Sequence, residues 1–264
     1  MRLKFFVAFV AVMSLMCVTI GADGKYTIKV NKTTNCITVY DNNVPVKAMA
    51  CSTGLNNGTP SGTFYTQAKY QWKSLNGGVW GQYSTRITGH YLFHSVYYTS
   101  RNKSALKTSA YNKLGTAASA GCVRLTVADA KWIYDNCPIG TRVIITNEKT
   151  DPLPKPVTMR LTENATYKGW DPTDPDANNP WKKEFVKIKG NAPKKIYAKD
   201  ALTGAEMGEV LREGVTAYDL ANNIIHFDIG CNVSTVTPGV YEIKYFATDC
   251  LGNYGEAYTT LTVE

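Results

Sequence analysis

Apolar and polar positions alternate in short runs over much of the chain. Tyr26–Val30 and Cys36–Tyr40 each carry apolar or β-branched residues at every second position, and Val44–Met49 resumes the pattern after Asp41-Asn42-Asn43. A period of two predicts strands, and the Asn-rich break predicts a tight hairpin turn. Ser52–Gly58 is a loop of residues that tolerate positive φ. Pro60 and Gly62 predict a turn that launches a strand over Gly62–Tyr70, and Tyr91–His94 predicts a short strand that ends on a histidine. Ser95–Ala118 is a long polar connection, the kind of segment that forms a lid or binding loop, with Tyr97, Tyr98, Arg101 and Tyr111 as candidates to meet a ligand. The period changes after Thr126. Ala128, Trp132 and Ile133 share one helical face, Thr126 and Asp129 have capping-box spacing, and Pro138-Ile139-Gly140 stops the helix before a strand at Thr141–Thr146.

Residues 149–183 hold Pro152, Pro154, Pro156, Pro172, Pro175 and Pro180, which predicts a stiff, extended connector. Residues 184–264 return to strand-and-turn patterning at Val215–Asp219 and Pro238–Asp249, with a turn at Gly252-Asn253. The expected chain is therefore mainly β with one or two short helices. It divides into a segment over residues 1–22, a domain over 23–148, the connector and a C-terminal β module.

The first segment has Arg2 and Lys4, an apolar run from Phe5 to Ile20, and small residues at Gly21-Ala22. That order predicts a secretory signal peptide, with an uncleaved anchor as the alternative; Met16 argues against lipid attachment at Cys17. No second apolar run is long enough to cross a bilayer, so no membrane span is expected after cleavage. The expected location is outside the cell, in the wall or beyond. Charge then separates the two halves. Residues 23–150 hold 15 Lys+Arg against 5 Asp+Glu, and residues 151–264 hold 12 against 16. A basic N-terminal half suits an anionic polymer. Its cations are scattered, not clustered, which disfavours nucleic acid, and export favours an acidic wall polymer.

Of seven cysteines, Cys17 lies in the expected signal. Cys231 and Cys250 share the C-terminal module and are the first candidates for a disulfide; Cys36, Cys51 and Cys137 allow one pair at most. No Cys-x2-Cys spacing occurs and there are only three histidines, so no zinc site is expected. Asp171, Asp174 and Asp176 lack the spacing and closing glutamate of an EF-hand loop. No metal or cofactor is called for.

The candidate chemistry lies in Ser119-Ala120-Gly121-Cys122-Val123-Arg124-Leu125. Small neighbours allow a tight backbone turn around a reachable thiol and free the amides of Gly121 and Cys122 for an oxyanion. A thiol needs a base, and His94 in Leu92-Phe93-His94-Ser95 is the best candidate. A helix starting at Thr126 would favour the thiolate weakly. Together with Thr59-Pro60-Ser61-Gly62-Thr63-Phe64, these motifs resemble the L,D-transpeptidase (YkuD-type) catalytic domain, from about Lys25 to Asn147. The C-terminal patterning is similar to bacterial immunoglobulin-like modules. The resemblance implies a β-sheet catalytic domain followed by an immunoglobulin-like β-sandwich.

It further implies Cys122 as nucleophile, His94 as base, Ser95 as the residue whose carbonyl orients His94, and Gly121 as an oxyanion amide. Arg124 is expected as a carboxylate anchor or a structural ion-pair partner, and Tyr83 as an oxyanion or substrate-positioning hydroxyl. The implied activity is cross-linking of peptidoglycan stem peptides through a thioester, with the C-terminal module contacting other wall components. Ala120 departs from the family, which carries histidine there; His90 is a possible substitute. Two alternatives stand beside this: an L,D-carboxypeptidase using water at the same site, and a non-catalytic wall-binding protein. A papain-like protease is disfavoured, because here the histidine precedes the cysteine.

Overall fold

The computed structural model describes residues 25–264; the expected signal segment lies outside them. Strands β1 (Tyr26–Asn31), β2 (Cys36–Asp41) and β3 (Val44–Ala50) form a meander. Its β2–β3 turn places Asn42 and Asn43 at φ 47° and 68°, the left-handed pair that a two-residue hairpin requires. Next come β4 (Gly62–Tyr65), β5 (Ala68–Leu75), β6 (Val79–Thr88), β7 (Tyr91–Ser95), a one-turn α1 (Thr108–Tyr111), β8 (Val123–Leu125), α2 (Val127–Asn136) and β9 (Arg142–Thr146). They make two sheets, ordered β3-β2-β1-β9-β4 and β5-β6-β7-β8. The single strand expected over Gly62–Tyr70 is broken between β4 and β5, which serve different sheets.

Between the sheets lies a core. Ile28, Val30, Ile37, Val39 and Met49 meet Ile87, Phe93, Val123 and Leu125, and α2 adds Ala130 and Ile133. Every one of these side chains is shut off from water, and burying each one larger than alanine contributes roughly 1.5–3 kcal/mol. β7 and β8 run parallel with His94 opposite Arg124. This pairing brings the histidine and cysteine motifs side by side.

The Ser95–Ala118 connection is not an open lid. Val96, Tyr98, Leu106, Ala110, Tyr111 and Leu114 are buried in a second core that the connector completes with Met159, Leu161, Ala165 and Trp181. The connector folds back instead of extending. Its Asp171 and Thr173 cap α2: Val127 N donates to Asp171 Oδ2 (2.9 Å) and Ala128 N to Thr173 Oγ1 (3.0 Å). Thr126 takes the next two, Asp129 N through its hydroxyl and Ala130 N through its carbonyl. The donors of Val127, Ala128 and Asp129, which lack an intrahelical acceptor, are thus all satisfied. Among the described residues no cluster of His, Cys, Asp or Glu is arranged to hold a metal.

The C-terminal region contains β10 (Lys187–Lys189), β11 (Lys194–Ile196), α3 (Gly204–Arg212), β12 (Thr216–Tyr218), β13 (Ile224–Ile225), β14 (Asp228–Cys231), β15 (Gly239–Thr248) and β16 (Tyr254–Val263). Its sheets, β10-β12-β13 and β11-β16-β15-β14, share a core with Met207 and Leu211 of α3. The helix departs from the all-β expectation. Its cap is a reciprocal Thr203–Glu206 box.

The expected disulfide is corrected. All six cysteines of the described residues are free. Cys231 sits opposite Ile243, whereas Cys250 lies beyond the far end of β15. That stretch spans roughly 20 Å of strand, against a Cα separation of at most about 7 Å in a disulfide.

Candidate active site

Cys122 and His94 line one groove of about 630 Å³, together with Leu92, Tyr97, Ser119, Ala120, Gly121 and Arg124, and with His90, Tyr91 and Arg86. Its far wall is the β5–β6 hairpin, through Lys73, Ser74, Leu75, Asn76 and Val79.

The backbone conformation before the thiol requires glycine. Gly121 has φ 150°, and a Cβ there would lie 2.7 Å from the Tyr91 ring and 3.0 Å from Gly58 O. Thr59 ties the Thr-Pro motif to the cysteine motif: its hydroxyl donates to Gly121 O (2.7 Å) and accepts from Gly54 N (2.7 Å). Ser119 does the same from the other side, accepting from Gly121 N (3.0 Å) and donating to Cys122 O (2.6 Å). This corrects the expected role of Gly121: its N–H is engaged by Ser119 and is not aimed at an oxyanion. The Cys122 amide donates to none of the described residues and remains available.

His94 is held by its own neighbour. Nδ1 lies 2.6 Å from Ser95 O, and since a carbonyl only accepts, Nδ1 carries the proton and Nε2 presents its lone pair. The Ser95 hydroxyl is fixed by Gln82 N (2.9 Å) and donates to Val96 O. Gly81 leaves room for the imidazole, because a Cβ there would come within 3.0 Å of His94 Nδ1. Burial pulls the His94 pKa down to about 4, against the Ser95 carbonyl, which favours the charged ring; Arg124 adds to the lowering. Burial also raises the Cys122 pKa, with the Leu92 backbone and Arg124 acting the other way. At rest the groove thus holds a neutral thiol and a neutral imidazole. Asp171 already occupies the start of α2, so the helix end offers the thiolate little. The thiol itself contacts His90 O at 3.6 Å.

Arg124 enters the groove stacked 4.9 Å from the Tyr97 ring centre, and its Nη1 donates to Ala118 O (2.9 Å). It has no carboxylate partner among the described residues, and its buried Nε has no acceptor. An ion-pair role is therefore not what the geometry supplies; an unmet donor is.

Tyr83 is the second correction. It is not among the groove-lining residues. Its left-handed backbone (φ 47°) turns the ring to α2, edge-on to Tyr134 at 5.6 Å. Of the aromatic candidates further along, Tyr97 lines the groove, while Tyr98 and Tyr111 are buried in the second core. Arg101 packs on Trp80. The sequence offers Gln71–Arg86, through Trp72, Trp80 and Tyr83, as an aromatic wall or as core; the structure packs those three rings against the second core and builds the wall from Lys73, Ser74, Leu75, Asn76, Val79 and Arg86, so that Lys73, Arg86, Gly81 and Gln82 were missed.

Comparison with known proteins finds similarity over the same part of the chain. Residues 25–145 match the family model of the L,D-transpeptidase catalytic domain (YkuD). A Bacillus subtilis (strain 168) protein, provisionally named L,D-transpeptidase YciB, is 42% identical over 108 residues, covering 38% of this chain and 55% of the relative. The chain thus spans about half the length of the curated relative it matches. Solved structures that resemble it include an L,D-transpeptidase from Mycobacterium smegmatis (21% identity, 46% of this chain and 58% of that one, TM-score 0.38). Another comes from Stackebrandtia nassauensis (19% identity, 49% and 60%, TM-score 0.38).

Proposed function

With residues 25–145 matching an L,D-transpeptidase catalytic domain, we propose that this protein is an exported enzyme that cross-links peptidoglycan stem peptides through a thioester on Cys122. The observation that carries the proposal is the pairing of a bare His94 Nε2, set by the Ser95 carbonyl, with a half-buried thiol in the same groove. His94 takes the thiol proton as sulfur attacks the carbonyl carbon of an L-centre residue followed by a D-amino acid. The Cys122 amide receives the developing oxyanion. The C–N bond then breaks, and the D-amino acid leaves with the proton from the imidazolium. An amine of a second stem attacks the thioester, His94 takes its proton and returns it to sulfur, and a new amide is released.

Removing proton transfer from such a step costs roughly 10²–10⁴-fold in rate. The unmet Arg124 Nε supports its role as an anchor for a peptide carboxylate. Residues 184–264 are proposed as an immunoglobulin-like module that contacts other wall components; two sheets on one core support that reading. The experiment is incubation of the purified protein with tetrapeptide-bearing muropeptides, read by mass spectrometry. Cross-linked dimers and free D-amino acid are expected, along with a carbapenem adduct on Cys122. D-amino acid without dimer would assign carboxypeptidase activity instead. Cross-linking by Cys122→Ala, or no adduct on the intact protein, would overturn the mechanism.

A further inference from the structure

The reaction above leaves one cluster in the groove unused. Lys73 and Arg86, both from the β5–β6 hairpin, sit against a single ring, that of Tyr70. Lys73 Nζ lies 4.7 Å and the Arg86 guanidinium carbon 5.9 Å from its centre. Arg86 is steadied by Gly89 O and by the Tyr70 hydroxyl (3.4 Å), which leaves most of its five N–H donors free. Neither cation forms an ion pair with any described residue. The groove lining adds a third cation, Arg124, and contains no Asp or Glu. Like charges gathered without an acid repel one another, and an entering anion relieves that repulsion.

We propose that Lys73 and Arg86 form an anion subsite that reads a free carboxylate on the peptide being processed, so that the enzyme prefers stems with an unmodified acidic side carboxyl over amidated ones. This rests on the acyl-transfer reading of Cys122. A guanidinium fork takes a carboxylate through two parallel hydrogen bonds, and the ammonium adds a point charge beside it. A phosphate on a wall glycopolymer would satisfy the same donors. The peptide is favoured because the two cations and Cys122 line one cavity, so the chain presented to the thiol runs past them.

The test uses two synthetic donor peptides that differ only in whether that carboxyl is free or amidated. They are compared on the intact protein and on Lys73→Gln, Arg86→Gln and the double variant. The intact protein is expected to favour the free acid by about tenfold or more in kcat/KM, mostly through KM, as expected for a charge-assisted contact. The double variant should show less than about twofold preference while iodoacetamide, a neutral reagent, still alkylates its Cys122 at the parent rate. Equal use of both peptides by the intact protein, or a preference that survives the double substitution, overturns the proposal. If neither peptide reacts, the acyl-transfer reading fails, and calorimetric binding of both peptides to Cys122→Ala then decides the subsite by the same preference or its absence. A poly(glycerol phosphate) that loses affinity in the variants while the peptides do not would assign the cations to a polymer and also overturn it.

Discussion

Acidification should act on two buried groups with opposite signs. His94 is 2% exposed and holds its pKa at about 4, against an ordinary 6.5. Between those values the unfolded chain binds a proton that the folded chain refuses, so stability falls as the pH drops through that window. The full gap corresponds to about 3 kcal/mol. Asp171 is fully buried, and burial pushes its carboxyl from 3.8 up to about 6 despite the hydrogen bonds it accepts. Here the folded chain takes the proton first, so stability rises as the pH falls from about 6 towards 3.8, again by about 3 kcal/mol. The two contributions nearly cancel in the native protein. Single substitutions separate them. Relative to the parent, His94→Gln should gain about 3 kcal/mol in unfolding free energy between pH 7 and pH 4, on top of a constant offset for lost contacts. Asp171→Asn should lose about 2–3 kcal/mol over the same interval. Urea unfolding followed by tryptophan fluorescence at half-unit pH steps reads both differences, in which every unchanged carboxylate cancels. NMR titration of the imidazole gives the His94 midpoint independently. A parent-minus-His94→Gln difference that does not move with pH would refute the claim that burial keeps the base neutral, and with it the picture of an uncharged resting pair.

Further outcomes follow from the packing. Gly121→Ala drives a methyl group into the Tyr91 ring and the Gly58 carbonyl at a positive φ, so a loss of about 3 kcal/mol and of carbapenem acylation is expected, measured by thermal unfolding and mass spectrometry. Ending the chain at Glu148 removes Met159, Leu161, Ala165 and Trp181 from the second core and the Asp171 cap from α2. That fragment is expected to be insoluble or to bind a hydrophobic dye, and a monomeric, cooperatively folding 25–148 fragment would contradict the shared core. Titration with a thiol reagent under native conditions should label the groove-lining Cys122 and the exposed Cys231, and Cys250 more slowly because burial holds its thiol at about 11. Cys36, Cys51 and Cys137 should react only on unfolding, since all three are fully buried; two thiols missing from the count under reducing-agent-free conditions would revive a disulfide.

What could be read from the residues alone was what local chemistry dictates. Asn42 and Asn43 announce a left-handed turn because asparagine tolerates it, and Thr126 with Asp129 announces a helix start because the hydroxyl meets the amide three residues on. The Thr203–Glu206 box of α3 carried the same signal, yet the surrounding strand patterns drew the whole module towards an all-β expectation. The stretch that walls the groove was legible as an aromatic wall but not as a hairpin, for a different reason. Between residues 71 and 86 the side chains face two cores and one groove, and Tyr83 turns out of line, so no period survives.

The site divides along the same line. Cys122 and His94 were legible because their motifs are short, but the reason the motifs occur together is a set of contacts across long separations. Thr59 binds the carbonyl of Gly121 from 62 positions away, Gly81 vacates the space that the imidazole fills, and Asp171 closes α2 from 44 positions further on. Each joins the reactive turn, the histidine ring or the helix that follows to a residue far away in the chain. A glycine in β6 and a buried aspartate in a proline-rich connector acquire meaning only once the parallel pairing of β7 and β8 has set His94 against Arg124. The reactive pair is therefore local in identity and non-local in posture. For that reason the substitutions expected to disable it without touching either side chain are those at Gly81, Thr59 and Gly121.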